Sequence, residues 1–254
     1  MNVLSMIAVF LVFAMPAAAQ WRHTMTEIPR LPNGKADLSA PAPKRADGKP
    51  DITGLWIPGP GVYVGDIAKD LKPGEVPYQP WAESLYKERR ASNSKDDPTA
   101  SCVVGGVPRS DVVPYPFKIL DMPGLTVILY EAVHSYRQIF TDGRELPNYD
   151  PTPTWFGYSV GKWEGDTFVV QSAGFNDHGW IDNFGKPSTE ALHVTERFRR
   201  KDFGHMDLQI TIDDAKAYTK PWMVTIPLTF KVDDELMEYI CEENNKYFGN
   251  KVSQ

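Results

Sequence analysis

The sequence has few cysteines, no concentrated positive charge and, after residue 13, no long apolar run. Its net charge is −6 over 254 residues, and its only compact basic run is RFRRK at 197–201. No nucleic acid partner is expected, because neutralising phosphates requires a concentrated positive face. Gly-rich phosphate loops and dinucleotide fingerprints are also missing, so we predict that the protein works without a cofactor.

The only two cysteines in the chain are Cys102 and Cys241. A lone pair of this kind closes into a disulfide in an oxidising compartment. The alternative is a thiol nucleophile or a metal ligand, which no CxxC or Cys-His spacing supports. We predict a Cys102–Cys241 disulfide that ties an early loop to the last strand and stabilises the fold by roughly 3–5 kcal/mol.

The first residues predict an export signal. Residues 3–13 are nearly all apolar, and Pro16 and the alanines at 17–19 supply the small residues of a signal peptidase site, although the leader before them has no Lys or Arg. The alternative is an uncleaved membrane anchor, but the apolar run is shorter than the roughly 20 residues that span a bilayer. We predict a signal peptide at 1–19 and a periplasmic, possibly secreted, mature protein without a membrane span.

The remaining chain predicts an arm followed by one domain. Residues 20–50 are rich in Pro, Ala, Lys and Gly without periodicity, which favours an extended arm or linker. Residues 51–254 form the predicted domain, whose best helix begins at Pro80. Apolar and polar residues then alternate in short segments, with hairpins predicted at 155–163/167–172, 192–200/206–212 and 222–232/235–241.

Eight or nine short strands in succession predict an all-β fold. We expect an antiparallel meander that forms a barrel or a strongly curved sheet, with one helix and long Pro- and Gly-rich loops. The Gly-x-Trp at 54–56 on the first strand resembles the opening of lipocalin-like barrels of the calycin type, in which the Trp plugs the barrel base. The alternative is an ordinary core Trp at a strand start.

Several short motifs carry a second resemblance: SVGKWEGDT at 159–167, GFND at 174–177, ERFRR at 196–200 and AYTKPW at 217–222. They resemble a family of exported bacterial proteins of uncharacterised activity, and the similarity covers most of the chain from Asp51 onward. The resemblance implies a shared fold and site but no particular activity. Gln171 departs from the family, in which an acidic residue is usual at that position.

The loop at 174–182 (GFNDHGWID) is the strongest candidate for a site, because it holds polar and aromatic groups between two strands. His178 is a candidate proton carrier and Asp177 a candidate base. Asn176, Trp180 and Asp182 are predicted to bind the substrate. The alternative is a well-formed turn, in which Asn and Asp side chains bond their own backbone.

Two further candidate catalytic residues lie on predicted strands. Alternation places Glu196 on one face with Leu192, Val194 and Phe198, so an inward apolar face makes Glu196 a carboxylate inside the barrel. There it could serve as a general base, and an inward Arg137 could bind a carboxylate or oxyanion of the ligand. The alternative is that these two residues neutralise each other for structure alone.

Three more residues are predicted to bind the substrate. Tyr218 is an aromatic wall for a flat or sugar-like ligand, with a core position as its alternative. His193 is a second histidine near the loop, and Tyr136 lies on the opposite face of its strand from Arg137. We predict no metal, because HExxH and His-x-His patterns are missing.

The first hypothesis for function is an exported enzyme that acts on a small organic substrate by acid–base chemistry. A lyase, hydratase or isomerase fits better than a hydrolase, since no Gly-x-Ser-x-Gly nucleophile is present. Asp177 or Glu196 would be the base, His178 the acid, and Arg137 the stabiliser of developing negative charge. The alternative is a periplasmic binding or carrier protein without turnover, and the third hypothesis is a haem- or metal-binding barrel.

Overall fold

A computed structural model of the protein describes residues 28–147, 152–241 and 243. Among these residues, strands in chain order close into a barrel. The strands are β1 Gly54–Pro58, β2 Phe117–Met122, β3 Leu125–Tyr130, β4 Ser135–Phe140, β5 Tyr158–Glu164, β6 Thr167–Ala173, β7 His193–Arg200, β8 His205–Asp213 and β9 Trp222–Phe230. The helices are α1 Val62–Gly65 and α2 Pro80–Ala91, with 3-10 turns at Pro98–Ser101, Arg109–Asp111 and Ala132–His134. The predicted all-β barrel is confirmed.

The barrel departs from a fully antiparallel meander at one pair of strands. β4 and β5 run parallel, with Ile139 paired to Ser159 and Phe140 to Val160. Every other neighbouring pair is antiparallel. Strands in a closed ring can alternate in direction throughout only if their number is even. Closure of this nine-strand ring therefore requires a parallel pair.

Alternate residues of each strand fill the interior, as the period of two in a strand dictates. On β7 the side chains of Val194, Glu196, Phe198 and Arg200 are buried, which confirms the predicted inward face of Val194, Glu196 and Phe198. Trp56 is fully buried and packs edge-on against Phe230, with ring centroids 5.0 Å apart. The hydrophobic core thus occupies the barrel lumen.

The long connections share one end of the barrel. Because neighbouring strands alternate in direction, the connections at 59–116, 131–134, 174–192 and 214–221 leave from the same end, here called the mouth. Short turns at 123–124, 165–166 and 201–204 close the opposite end. Trp56 belongs to this closed end, where the Arg200 guanidinium lies 4.9 Å from its ring centroid. The candidate site loop at 174–182 lies at the mouth.

The described part of the arm is folded against the barrel. Phe203 N–H donates to Ala40 O and Gly204 N–H donates to Leu38 O, which fastens the arm to the β7–β8 turn. Residues 1–27, including the predicted signal peptide, lie outside the described part of the chain. No helix within that part is long and apolar enough to cross a membrane.

The third predicted hairpin is wrong in its second half. Residues 222–230 form β9, but residues 235–241 form no strand. β9 pairs with β8 on one edge and with β1 on the other, so it has no free edge for a further strand. The predicted Cys102–Cys241 disulfide is present, and it joins two loop segments rather than a loop and a strand.

Candidate functional site

Arg137 and Glu196 form a buried ion pair inside the barrel. Arg137 donates from Nη1 to Glu196 Oε1 at 3.0 Å, and its Nη2 contacts Glu196 Oε2. The same guanidinium donates from Nε to Ser159 Oγ at 3.0 Å and from Nη2 to Ser172 Oγ at 2.7 Å. Burial alone lowers the pKa of Arg137, but Glu196 outweighs that effect and the pKa is raised overall. The contacts match the structural alternative for this pair.

Asp111, which the sequence did not single out, completes this buried cluster. Tyr130 Oη donates to Asp111 Oδ1 at 2.6 Å, and Asp111 Oδ2 lies 3.7 Å from Arg137 Nη1. Burial, and then the charge of Glu196, raise the pKa of Asp111 well above its usual range. Two carboxyl groups therefore face one guanidinium, and the raised pKa favours the protonated form of Asp111. Asp111 lies in a 3-10 turn without apolar periodicity, so only the fold shows its partner.

The residues Asn176, Asp177 and His178 lie on the surface, apart from this cluster. Asn176 Oδ1 accepts a hydrogen bond from His178 N–H at 3.3 Å, which is the turn chemistry considered as the alternative. Asp177 Oδ1 lies 3.1 Å from His178 Nδ1, and both side chains are about two-thirds exposed, at 66 % and 70 %. Among the predicted catalytic residues, the structure thus brings together Arg137 with Glu196 and Asp177 with His178, as two separate pairs.

Trp180 and the exposed pair line a shallow surface groove of about 460 Å³ between the 174–182 loop and α2. The Arg89 guanidinium lies 4.2 Å from the Trp180 ring centroid. Arg89 also donates from Nη1 to Gly185 O at 3.1 Å. The face of Trp180 is thus already covered by a cation from α2.

Asp182 and Tyr218 anchor the loops at the mouth. Asp182 is fully buried, accepts from Ile67 N–H at 3.1 Å and lies 2.7 Å from Lys186 Nζ. Tyr218 Oη, also buried, donates to Pro187 O at 2.8 Å. These contacts hold the 174–192 connection against neighbouring loops.

His193 and Tyr136 are on the outside of the barrel. Both side chains are exposed, and Tyr136 is 63 % accessible. On β4, Arg137 occupies the inward face, so its neighbour Tyr136 must point outward. The structure does not bring either residue to the buried cluster.

The mouth holds a cavity of about 290 Å³ that is partly open to solvent, which we call the mouth cavity. Its wall is mostly apolar and includes Val64, Val104, Val113, Pro114, Tyr115, Ala132, Val133, Tyr239 and the disulfide-bonded Cys241. Ser110 and Ser135 also line it. Ser110 precedes Asp111, and Ser135 lies two residues before Arg137 on β4. Two residues along a strand span about 7 Å, so the buried cluster lies about that much deeper in the barrel than the cavity wall.

Arg109 gives the mouth cavity its charged side chain. Its Nη1 donates to Asp97 Oδ1 at 2.8 Å, and its Nη2 contacts Asp97, Asn183 and Thr99. The side chain is only 2 % exposed, yet its Nε–H has no hydrogen-bond partner among the described residues. A buried donor left without a partner costs about 1–3 kcal/mol. The Nε atom is itself buried, so it lies behind the cavity wall, whereas Ser110 places its side chain on the wall.

Three of the six described non-glycine residues with positive φ lie at or beside the mouth cavity. Cys102, Val133 and His134 have φ values of 58°, 59° and 42°, in the left-handed region that non-glycine residues rarely adopt. Val133 is β-branched and lines the cavity. Strained residues of this kind cost about 1–3 kcal/mol each and often lie at ligand sites.

Within the described ranges, no group of three or more His, Cys, Asp or Glu side chains is arranged to hold a metal ion. Asp182 is buried with Lys186, whereas His178 and His193 are exposed, so these side chains do not converge on one site. No family model, curated protein or solved structure matches the chain.

Proposed function

We propose that the protein binds a small, uncharged, mostly apolar organic molecule in the mouth cavity. The observation that carries this proposal is the mostly apolar wall of the mouth cavity, on which the Ser110 side chain supplies a hydroxyl. A cavity near 300 Å³ is at the lower end of the range for small-molecule sites, which suits a ligand of one or two rings. This corresponds to the binding or carrier class of function.

The charge balance at Arg109 determines the class of ligand. Asp97 already neutralises the guanidinium, and Asn183 and Thr99 take further donors. A ligand carboxylate would have to displace Asp97 from Arg109, whereas a ketone or hydroxyl oxygen needs only one neutral donor on the wall, such as the Ser110 hydroxyl. The ligand we propose is therefore an uncharged molecule with one oxygen acceptor.

Export of the mature protein is part of the same proposal. The apolar leader at 3–13 and the small residues at 16–19 support it, and so does the Cys102–Cys241 disulfide. In this setting the protein would receive its ligand in the periplasm. To test this, cells that express a tagged form of the chain are fractionated, and the N-terminus of the purified protein is sequenced. These measurements report the compartment of the protein and whether the chain is cleaved after Ala19.

The binding test uses 2-naphthol, a fluorescent uncharged ring compound with one hydroxyl. We expect saturable binding to the wild-type protein and amide chemical-shift changes at Ser110, Val133 and Ser135. Ser110→Ala keeps the size of the cavity nearly unchanged but removes the hydroxyl donor from its wall. One neutral hydrogen bond is worth about 1 kcal/mol, so this variant should bind about fivefold more weakly.

Two further variants make this test decisive. Ser84→Ala removes an exposed serine hydroxyl outside the mouth cavity and should leave binding unchanged. Ala132→Met places a larger side chain in the cavity and should abolish binding even if Ser110→Ala is poorly folded. Chemical-shift changes that map to the Trp180 groove, or binding that survives Ala132→Met, would overturn the proposal.

An acid–base enzyme is the second candidate function, favoured by the pair of buried carboxyl groups. Asp111 carries a raised pKa, so it is a neutral acid beside the Glu196–Arg137 ion pair. It lies next in sequence to Ser110 on the cavity wall. A ligand that penetrates past Ser110 would meet a proton donor and a carboxylate together, which is the arrangement needed for isomerase or lyase chemistry.

A further inference from the structure

The segment at 235–241, which we call the strap, runs along the outside of the barrel to the mouth. It follows β9 at the closed end and ends at the disulfide, and it belongs to neither a strand nor a helix. Tyr239 and Cys241 of the strap form part of the wall of the mouth cavity. The strap therefore separates part of this cavity from solvent.

Few non-covalent contacts hold the strap in place. Met237 N–H donates to Glu131 Oε2 at 3.0 Å, and Tyr239 N–H donates to His134 Nε2 at 3.1 Å. The Tyr239 ring lies against Tyr115, with centroids 4.9 Å apart. The side chains of Met237 and Ile240 point to solvent, being 63 % and 47 % exposed. A segment with so few buried contacts opens at a low free-energy cost.

The residues that contact the strap lie in the wall of the mouth cavity or next to it. Glu131 and His134 flank Ala132 and Val133, which line the mouth cavity in the strained turn between β3 and β4. Tyr115, the ring partner of Tyr239, lines it as well. Movement of the strap away from this turn would remove Tyr239 and expose the cavity at one side.

The covalent tie is the Cys102–Cys241 disulfide at the end of the strap. While it is closed, Cys241 cannot leave the cavity wall, whatever happens to the two hydrogen bonds. Once it is open, the strap depends on the contacts to Glu131, His134 and Tyr115 alone.

We propose that the strap is a lid over the mouth cavity and that the disulfide is its lock. A dithiol reductant opens the lock by thiol–disulfide exchange: it gives up two electrons and two protons, becomes a disulfide itself, and leaves Cys102 and Cys241 as thiols. The lid then opens, and ligand enters and leaves faster. This inference rests on the proposed binding function, because a lid matters only if the cavity takes a ligand.

Hydrogen–deuterium exchange on the full chain tests the lid. We expect dithiothreitol to speed exchange of the Met237 and Tyr239 amides about tenfold or more, while peptides from β7 and β8 keep their protection. The Cys102→Ser/Cys241→Ser double variant should exchange as the reduced protein does, and dithiothreitol should change it no further. Unchanged strap exchange on reduction, or faster exchange across the whole barrel, would overturn the lid.

Stopped-flow fluorescence with 2-naphthol tests the consequence for the ligand. Reduction should raise the rate of probe dissociation about tenfold, and His134→Phe should raise it further only in the reduced protein, where the hydrogen bond to His134 helps to hold the strap. If the strap opens but the dissociation rate of the probe does not change, the lid proposal is overturned and the binding proposal stands. Failure of the probe to bind in either redox state overturns the binding proposal on which the lid rests.

Discussion

At the scale of single residues, the barrel interior is governed by the need to neutralise buried charge. Arg137 has Glu196, Ser159 and Ser172 as partners, so each of the three nitrogen atoms of its guanidinium donates a hydrogen bond. Asp111 is the exception, because its second oxygen has no hydrogen-bond partner in the described structure. Burial of a carboxylate is expensive, and burial is the main cause of the raised pKa of Asp111, which favours its protonated form.

The raised pKa of Asp111 predicts how stability depends on pH. Its pKa in the folded protein is above its value in the unfolded chain, which is near 3.9. The folded state therefore holds the proton more tightly, and the stabilisation from Asp111 is complete below that unfolded pKa. It is lost as pH rises from there through the raised folded pKa. Asp111→Asn mimics the neutral acid and should remove this part of the slope.

Urea unfolding of the wild-type protein and Asp111→Asn between pH 4 and pH 9 measures the effect. The variant should gain stability relative to the wild type as pH rises, and Asp111→Ala should lose about 1–3 kcal/mol at every pH because Tyr130 Oη loses its acceptor. A difference between Asp111→Asn and the wild type that does not vary with pH would contradict a protonated Asp111. Loss of substrate turnover in this variant would in addition support the acid–base candidate function.

At the scale of elements, the mouth depends on turns that need particular backbone geometry. Gly106 precedes the Arg109–Asp111 turn and has φ 69°. A Cβ at this position would lie 2.2 Å from Trp155 O, a backbone atom that cannot move aside cheaply. Gly106 thus allows the segment that carries Arg109 and Asp111 to approach the start of β5.

Gly106→Ala should destabilise the protein by about 2 kcal/mol or more, from the left-handed φ and the clash together. Gly74→Ala is the matched control, since Gly74 has φ 87° but nothing within 4 Å of the added Cβ. It should cost only about 1 kcal/mol. Urea unfolding midpoints at constant slope compare the two. Equal losses would show that the contact with Trp155 does not limit this turn.

At the scale of the whole molecule, the disulfide closes a long loop across a barrel that is already closed by hydrogen bonds. Cys102 and Cys241 are 139 residues apart, so the bridge restricts the unfolded chain strongly. It joins two segments outside the strands, and the β1–β9 pairing does not depend on it. The bridge should therefore affect stability more than architecture.

The Cys102→Ser/Cys241→Ser variant should be less stable by up to about 4–5 kcal/mol, from loop-closure entropy. Its far-ultraviolet circular dichroism should still show the barrel. Equilibrium urea unfolding, with reduced wild-type protein as the parallel sample, measures the loss. A variant that is unfolded in buffer would show that the bridge is required for barrel closure.

The sequence by itself determined the features that depend only on residues close together in the chain. Alternation placed Val194, Glu196 and Phe198 on one face of β7, and a side chain can occupy only one side of a strand. A lone pair of cysteines pointed to one disulfide. The residue types at Asn176 and Asp177 are typical of a turn, and the structure has a turn there, on the surface rather than in the barrel interior.

Only the tertiary structure decided the features that join distant parts of the chain. Residues 235–241 carry a strand pattern, but both edges of β9 are taken once the barrel closes, so the pattern has no partner. The parallel β4–β5 pair follows from the number of strands, which no single segment contains. Asp111 meets Tyr130 and Arg137, and Arg109 meets Asp97 and Asn183, through contacts of loops with strands or with other loops. Such contacts leave no periodic signal, because burial and pairing there are properties of the closed barrel.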